Sequence, residues 1–129
     1  MPQAINLVLK NAANVDKTFT LMSPAAGDGS YANWRLKEGE TSLAFPRVAV
    51  ATRVGASARK ANIKLQIPAT YLDARTGLPV VASTFDFNAD ITVPDGFPES
   101  SKDDAVAFVT NLIANAVIKA IVRDAVPAT

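Results

Sequence analysis

Between Arg47 and Gln66 the chain gathers Arg47, Arg53, Arg59, Lys60 and Lys64 with the side-chain amides of Asn62 and Gln66, and no acid occurs from Thr41 to Leu72. A further amide, Asn88, stands downstream. Cations neutralise phosphates and amides hydrogen-bond to ribose or base edges, so the chemistry these residue types offer is the holding of a polyanion. The acids Asp86, Asp90, Asp95, Glu99, Asp103 and Asp104 collect further along, and a formal net charge of only +1 therefore hides an uneven distribution. One surface is expected to be basic.

Covalent and metal chemistry find little to work with. The 129 residues contain no Cys and no His, which excludes disulfides, thiolate or imidazole metal sites, Cys nucleophiles and every Ser-His-Asp or Cys-His arrangement. Asp86 and Asp90, four residues apart on the same face of one strand, have the residue types of a hydrolytic pair. They read instead as solvated charges or as salt-bridge partners of the neighbouring cations. Asp103 and Asp104 read as helix-capping acids rather than metal ligands, and Gly27, Gly29, Gly55, Gly77 and Gly96 mark turns without forming a phosphate loop. The expectation is a protein that is not an enzyme, with no cofactor, no metal and no small-molecule substrate.

The elements that must position the basic residues follow from periodicity. In Arg47 to Arg53, Val48, Val50 and Thr52 fall on one side of a strand and Arg47, Ala49, Ala51 and Arg53 on the other. After a turn at Gly55 to Ala58, the amide and cationic residues Asn62, Lys64 and Gln66 alternate with Ile63, Leu65 and Ile67 until Pro68 closes the strand. Ala69 to Leu78 is expected to be a loop. From about Pro79 to Val93, Phe85, Phe87, Ala89, Ile91 and Val93 oppose Asp86, Asn88, Asp90 and Thr92. Upstream, Ile5 to Lys10 and Lys17 to Met22 read as a hairpin, and Ser30 to Leu36 as a short strand carrying Tyr31 and Trp34. Glu38, Gly39 and Glu40 mark a turn. Ser101 and Asp104 have the spacing of a capping box, with Asp103 and Asp104 in the first turn. Ala105, Phe108, Leu112, Ile113, Ala116, Val117, Ala120 and Ile121 then repeat at three and four, as a helical apolar stripe does, with Asn111 and Asn115 as candidate bend points.

The sum is a single α+β domain spanning 1–129: an N-terminal hairpin within 1–22, an antiparallel sheet over 30–94 and a helical region over 100–125. A helix about 10 Å wide cannot cover five or six strands spaced about 4.8 Å apart. A second copy supplying its own helix would cover the rest, so an obligate homodimer is expected. The N-terminus shows no basic leader, and the apolar run from Ala105 to Val122 is interrupted by Thr110, Asn111, Asn115 and Lys119, so no membrane partner is expected.

The segment RVAVATRVGASARKANIKLQIPA (Arg47 to Ala69) resembles the central hairpin of the coat proteins of single-stranded RNA bacteriophages, the levivirus group. The pair Asn33-Trp34, the runs LPVV (Leu78 to Val81) and FNADITVP (Phe87 to Pro94), and the C-terminal helical run follow the same order and spacing. The resemblance covers essentially the whole chain. It implies an N-terminal hairpin, a five-stranded antiparallel sheet and C-terminal helices interlocked across a homodimer. It further implies assembly of those dimers into an icosahedral capsid around the single-stranded RNA genome, within the bacterial host cytoplasm. RNA-binding residues implied by position are Arg47, Arg53, Lys60, Asn62, Lys64, Gln66 and Asn88, on a face that in the family also binds a genomic hairpin to repress translation. Ala49 and Ala51 depart from the family's hydroxyl residues at an adenine pocket, and Asp86 from its stacking aromatic. Tyr71, Asp73, Arg75 and Gly77 fall in the segment that in the family meets its copies around the shell's symmetry axes. Two function classes fit the residues: a structural coat protein that packages RNA, and a dimeric RNA-binding regulatory protein that never assembles.

Overall fold

The computed structural model describes residues 3–38 and 44–128, so the expected turn at Gly39 and Glu40 lies outside the described residues. The chain divides into two compact units, Met1–Val93 and Pro94–Thr129.

The first unit is one sheet of six strands, β1 (Leu7–Lys10), β2 (Asp16–Ser23), β3 (Tyr31–Arg35), β4 (Arg47–Val54), β5 (Ala58–Leu72) and β6 (Pro79–Pro94), hydrogen-bonded in chain order. The N-terminal hairpin, β1 and β2, supplies two of the six strands of this single sheet, where a hairpin beside a five-stranded sheet was expected. A one-sided core forms because alternate residues share a face: Phe19, Ala32, Trp34 and Val48 are buried together, with Leu7, Leu21, Leu36, Val50 and Leu65 packed around them. The chain ahead of β1 is stitched to this cluster. Trp34 donates its indole N–H to the Ile5 carbonyl at 2.7 Å, and Asn6 Oδ1 accepts from the Leu21 N–H at 2.9 Å. A buried indole with its one donor satisfied contributes its apolar area without a desolvation cost.

Two expectations fail in this unit. Pro68 does not end β5, which runs on to Leu72, so the loop shrinks to Asp73–Leu78. The hydrogen-bond pattern explains why. The Gly55 N–H donates to Ala58 O, so alternate register pairs down the β4–β5 ladder, ending at Arg47 and Gln66, are the hydrogen-bonded ones. Pro68 is the next residue pointing that way and lies past the last paired residue of β4, where a missing N–H forfeits no ladder bond. The shortened loop is closed by its own bonds. The Asp73 N–H donates to Leu78 O and the Gly77 N–H to Asp73 O, while Asp73 Oδ1 accepts from the Arg75 N–H. Gly77 adopts φ +68°, a conformation that disfavours a Cβ.

The second unit holds α1 (Glu99–Ala114) and α2 (Ala116–Asp124), whose axes differ by 53°. No single helix among the described residues is long and apolar enough to cross a membrane. The bend falls at Asn115, one of the two expected positions. Its extended backbone (φ −67°, ψ 138°) interrupts the helix, and its Oδ1 accepts from the Val117 N–H at 2.9 Å, capping α2. The capping box at Ser101 and Asp104 does not form. Pro98 takes the cap position without a side-chain bond, and the Ser101 N–H already donates to Pro98 O, so Ser101 lies inside the first turn. Glu99 supplies the first-turn acid and pairs with Lys102 at 2.6 Å, leaving Asp103 and Asp104 one turn too far along to cap. In the single chain neither helix has a buried residue, and Val106, Phe108, Leu112 and Ile113 are all more than half exposed.

Candidate nucleic-acid interface

Strand register places the basic residues in rows. Arg35, Arg47 and Gln66 lie opposite one another across β3, β4 and β5, and the next row on the same face is Asn33, Ala49 and Lys64. A third row holds Tyr31, Ala51 and Asn62, and a fourth pairs Arg53 with Lys60. The alternation that buries Val48 on one side therefore aligns these side chains on the other. Arg59, one residue out of phase, belongs to the opposite face and pairs with Asp28 at 2.9 Å.

The amides bind β6 into the same surface. Asn62 accepts from the Tyr31 hydroxyl at 3.1 Å and donates both N–H groups, to Asn88 Oδ1 at 2.8 Å and Asp90 Oδ1 at 2.6 Å. All seven residues expected at an RNA site, Arg47, Arg53, Lys60, Asn62, Lys64, Gln66 and Asn88, thus share one face. Asn62 is the exception in kind. With both donors used inside the protein, it orients its neighbours instead of presenting an empty hydrogen-bonding edge.

Lys64 Nζ stands 5.1 Å from the centroid of the Tyr31 ring, within cation–π range. Ala51, between Tyr31 and Asn62 in its row, is only 5% exposed although it points to the polar face.

The electrostatics are unbalanced. Arg35 lies directly opposite Arg47, and Arg53 directly opposite Lys60. Like charges at directly opposed positions destabilise a sheet. None of Arg35, Arg47, Arg53, Lys60 and Lys64 forms an ion pair with a described residue. The expected salt-bridge role of Asp86 and Asp90 is accordingly not found, since neither pairs with a described cation and Asp90 is held by an amide. Two concavities open on the face. One of about 440 Å³ takes Arg35, Arg47, Lys64, Asn33 and Gln66 in its wall, and a smaller one of about 190 Å³ is lined by Ala51, Arg53, Lys60, Asn62, Asp90 and Thr92.

The model of the levivirus coat protein family matches residues 2–128. The chain belongs to that family. A levivirus coat protein is a structural component of a phage capsid, and the family is not one of enzymes. Solved structures agree on the fold. The virus-like particle of bacteriophage NT-214 aligns at 27% identity with a TM-score of 0.85, covering 99% of this chain and 100% of that one. The bacteriophage GA capsid protein aligns at 25% identity and TM-score 0.73, covering 93% and 94%. The virus-like particle of Beihai levi-like virus 21, at 18% identity, has the same fold with TM-score 0.85 over 99% of both chains. A search of curated protein sequences returns no match.

In this coat protein the sheet face includes three residues that the sequence reading did not place there: Tyr31, Asn33 and Arg35. The signal was present in YANWR, where Tyr31, Asn33 and Arg35 alternate with the core residues Ala32 and Trp34. Tyr31 and Trp34, the two aromatic side chains of this strand, project to opposite faces. The residues expected at contacts between dimers separate into two settings: Tyr71 is the penultimate residue of β5, half exposed, whereas Asp73, Arg75 and Gly77 form the closed turn.

Proposed function

We propose that this coat protein forms homodimers that self-assemble into an icosahedral capsid enclosing single-stranded RNA, with the face of Arg35, Arg47, Arg53, Lys60 and Lys64 turned toward the genome. The observation that carries the RNA assignment is the pair of like-charge oppositions, Arg35–Arg47 and Arg53–Lys60, none of whose members forms an ion pair with a described residue. Folding alone disfavours such pairs, and a bound polyphosphate removes the repulsion. Self-association is supported by the exposed apolar side chains of α1. Burying residues such as Phe108, Leu112 and Ile113 against another copy is worth about 1.5–3 kcal/mol each. Recognition of one genomic hairpin, with translational repression, belongs to the same reading. Asn88 and Gln66 supply amides beside the cations, and Tyr31 supplies an aromatic surface.

The test is size-exclusion chromatography and electron microscopy of the protein purified from bacteria, with the 260/280 nm absorbance ratio recorded before and after nuclease. Uniform spherical particles holding nuclease-protected RNA are expected. Dimers that never assemble would overturn the capsid reading in favour of a regulatory RNA-binding protein, and particles free of RNA would overturn the role of the basic face.

A further inference from the structure

The smaller concavity differs from the larger in one respect: a carboxylate lines it. Asp90 sits there beside Arg53 and Lys60, forming an ion pair with neither, and its orientation is set by a chain of hydrogen bonds from Tyr31 through Asn62 to Asp90 Oδ1. A carboxylate repels phosphate, so its place in a cationic hollow is a liability for backbone binding. It is an asset for reading a base. Among the described residues only Asn62 bonds to Asp90, so Oδ2 and one lone pair of Oδ1 can accept from adjacent donors, and the flanking cations can donate to an acceptor beside them.

Resting on the RNA reading above, we propose that Asp90 makes this hollow selective for an unpaired guanine. Only guanine presents two adjacent donors, N1–H and N2–H2, next to an acceptor, O6. Its Watson–Crick edge satisfies both carboxylate oxygens while Arg53 or Lys60 donates to O6. Adenine and cytosine each offer one exocyclic donor beside ring acceptors, and uracil one donor between two acceptors, so each leaves a carboxylate oxygen unmatched. The small side chain of Ala51 lines the hollow without filling it, and its volume of about 190 Å³ suits one base.

The experiment uses the full-length protein and four uridine-rich single-stranded RNA oligonucleotides that differ only in a central G, A, C or U, with affinity read by fluorescence anisotropy at fixed salt. A bidentate base contact gives about tenfold tighter binding of the guanine oligonucleotide. Asp90→Asn removes that preference while strengthening binding to the other three, because a negative charge is lost. Asp86→Asn, the neutralisation of another carboxylate on the same strand, keeps the preference. Equal affinity of the wild type for all four RNAs, or a preference that survives in Asp90→Asn or vanishes equally in Asp86→Asn, overturns this inference and leaves RNA binding standing. Binding of none of the four overturns the RNA reading and the inference with it.

Discussion

If the genome is held through phosphates by the five cations of the sheet face, salt must weaken the complex in proportion to their number. Single-stranded RNA contacting all five on one protomer gives a slope of log affinity against log salt of about −3.5, taking about −0.7 per phosphate neutralised. Affinity then falls about 100-fold between 50 and 200 mM salt. Replacing Lys60 and Lys64 with alanine removes two of the five, so the slope drops by two-fifths, to about −2. The fraction is the same whether the RNA spans one protomer or two. Fluorescence anisotropy across a salt series on disassembled protein measures it. Lys102→Ala is the control, because Lys102 lies on α1 and pairs with Glu99. An unchanged slope in the double variant, or an equal drop in the control, refutes the assignment of RNA to this face.

Three further outcomes follow from the geometry. Trp34→Phe strands the Ile5 carbonyl and shrinks a core side chain, costing about 2 kcal/mol in urea denaturation. Asn115→Ala removes the cap of α2 and costs about 1 kcal/mol, seen as a lower melting temperature. Deleting Asp73 to Gly77 leaves dimers intact by chromatography and abolishes particles by electron microscopy. Normal particles from that deletion would show that the β5–β6 turn takes no part in assembly.

The face was legible in the sequence wherever alternation was long. β4 alternates over eight residues between Val48, Val50 and Thr52 on one side and Arg47, Ala49, Ala51 and Arg53 on the other, and its register with β5 then carries Lys60, Asn62, Lys64 and Gln66 to the same surface. β3 is only five residues long, and its two aromatic side chains masked the alternation, so Arg35 escaped notice despite facing Arg47. The roles within the face depend on cross-strand contacts that no local pattern encodes. Asn62 becomes a hub only because Tyr31, Asn88 and Asp90 converge on it from two other strands.

The boundaries that differed have local causes of the same kind. Pro68 ends a strand only where a backbone N–H is needed, and the need depends on where β4 begins, 21 residues upstream in the chain and adjacent only in the sheet. Ser101 has the spacing of a cap residue, but Pro98 can hold the extended cap conformation three residues earlier, so the helix starts at Glu99. Asn115 was legible as a bend because it can both leave the helical conformation and cap the helix that follows.

Ultraviolet cross-linking of RNA inside purified particles, followed by mass-spectrometric mapping of the adducts, tests the central claim most directly. Adducts on peptides carrying Tyr31 to Arg35 and Arg47 to Gln66 are predicted. Adducts confined to the peptides of α1 and α2, with none on β3, β4 or β5, would contradict it.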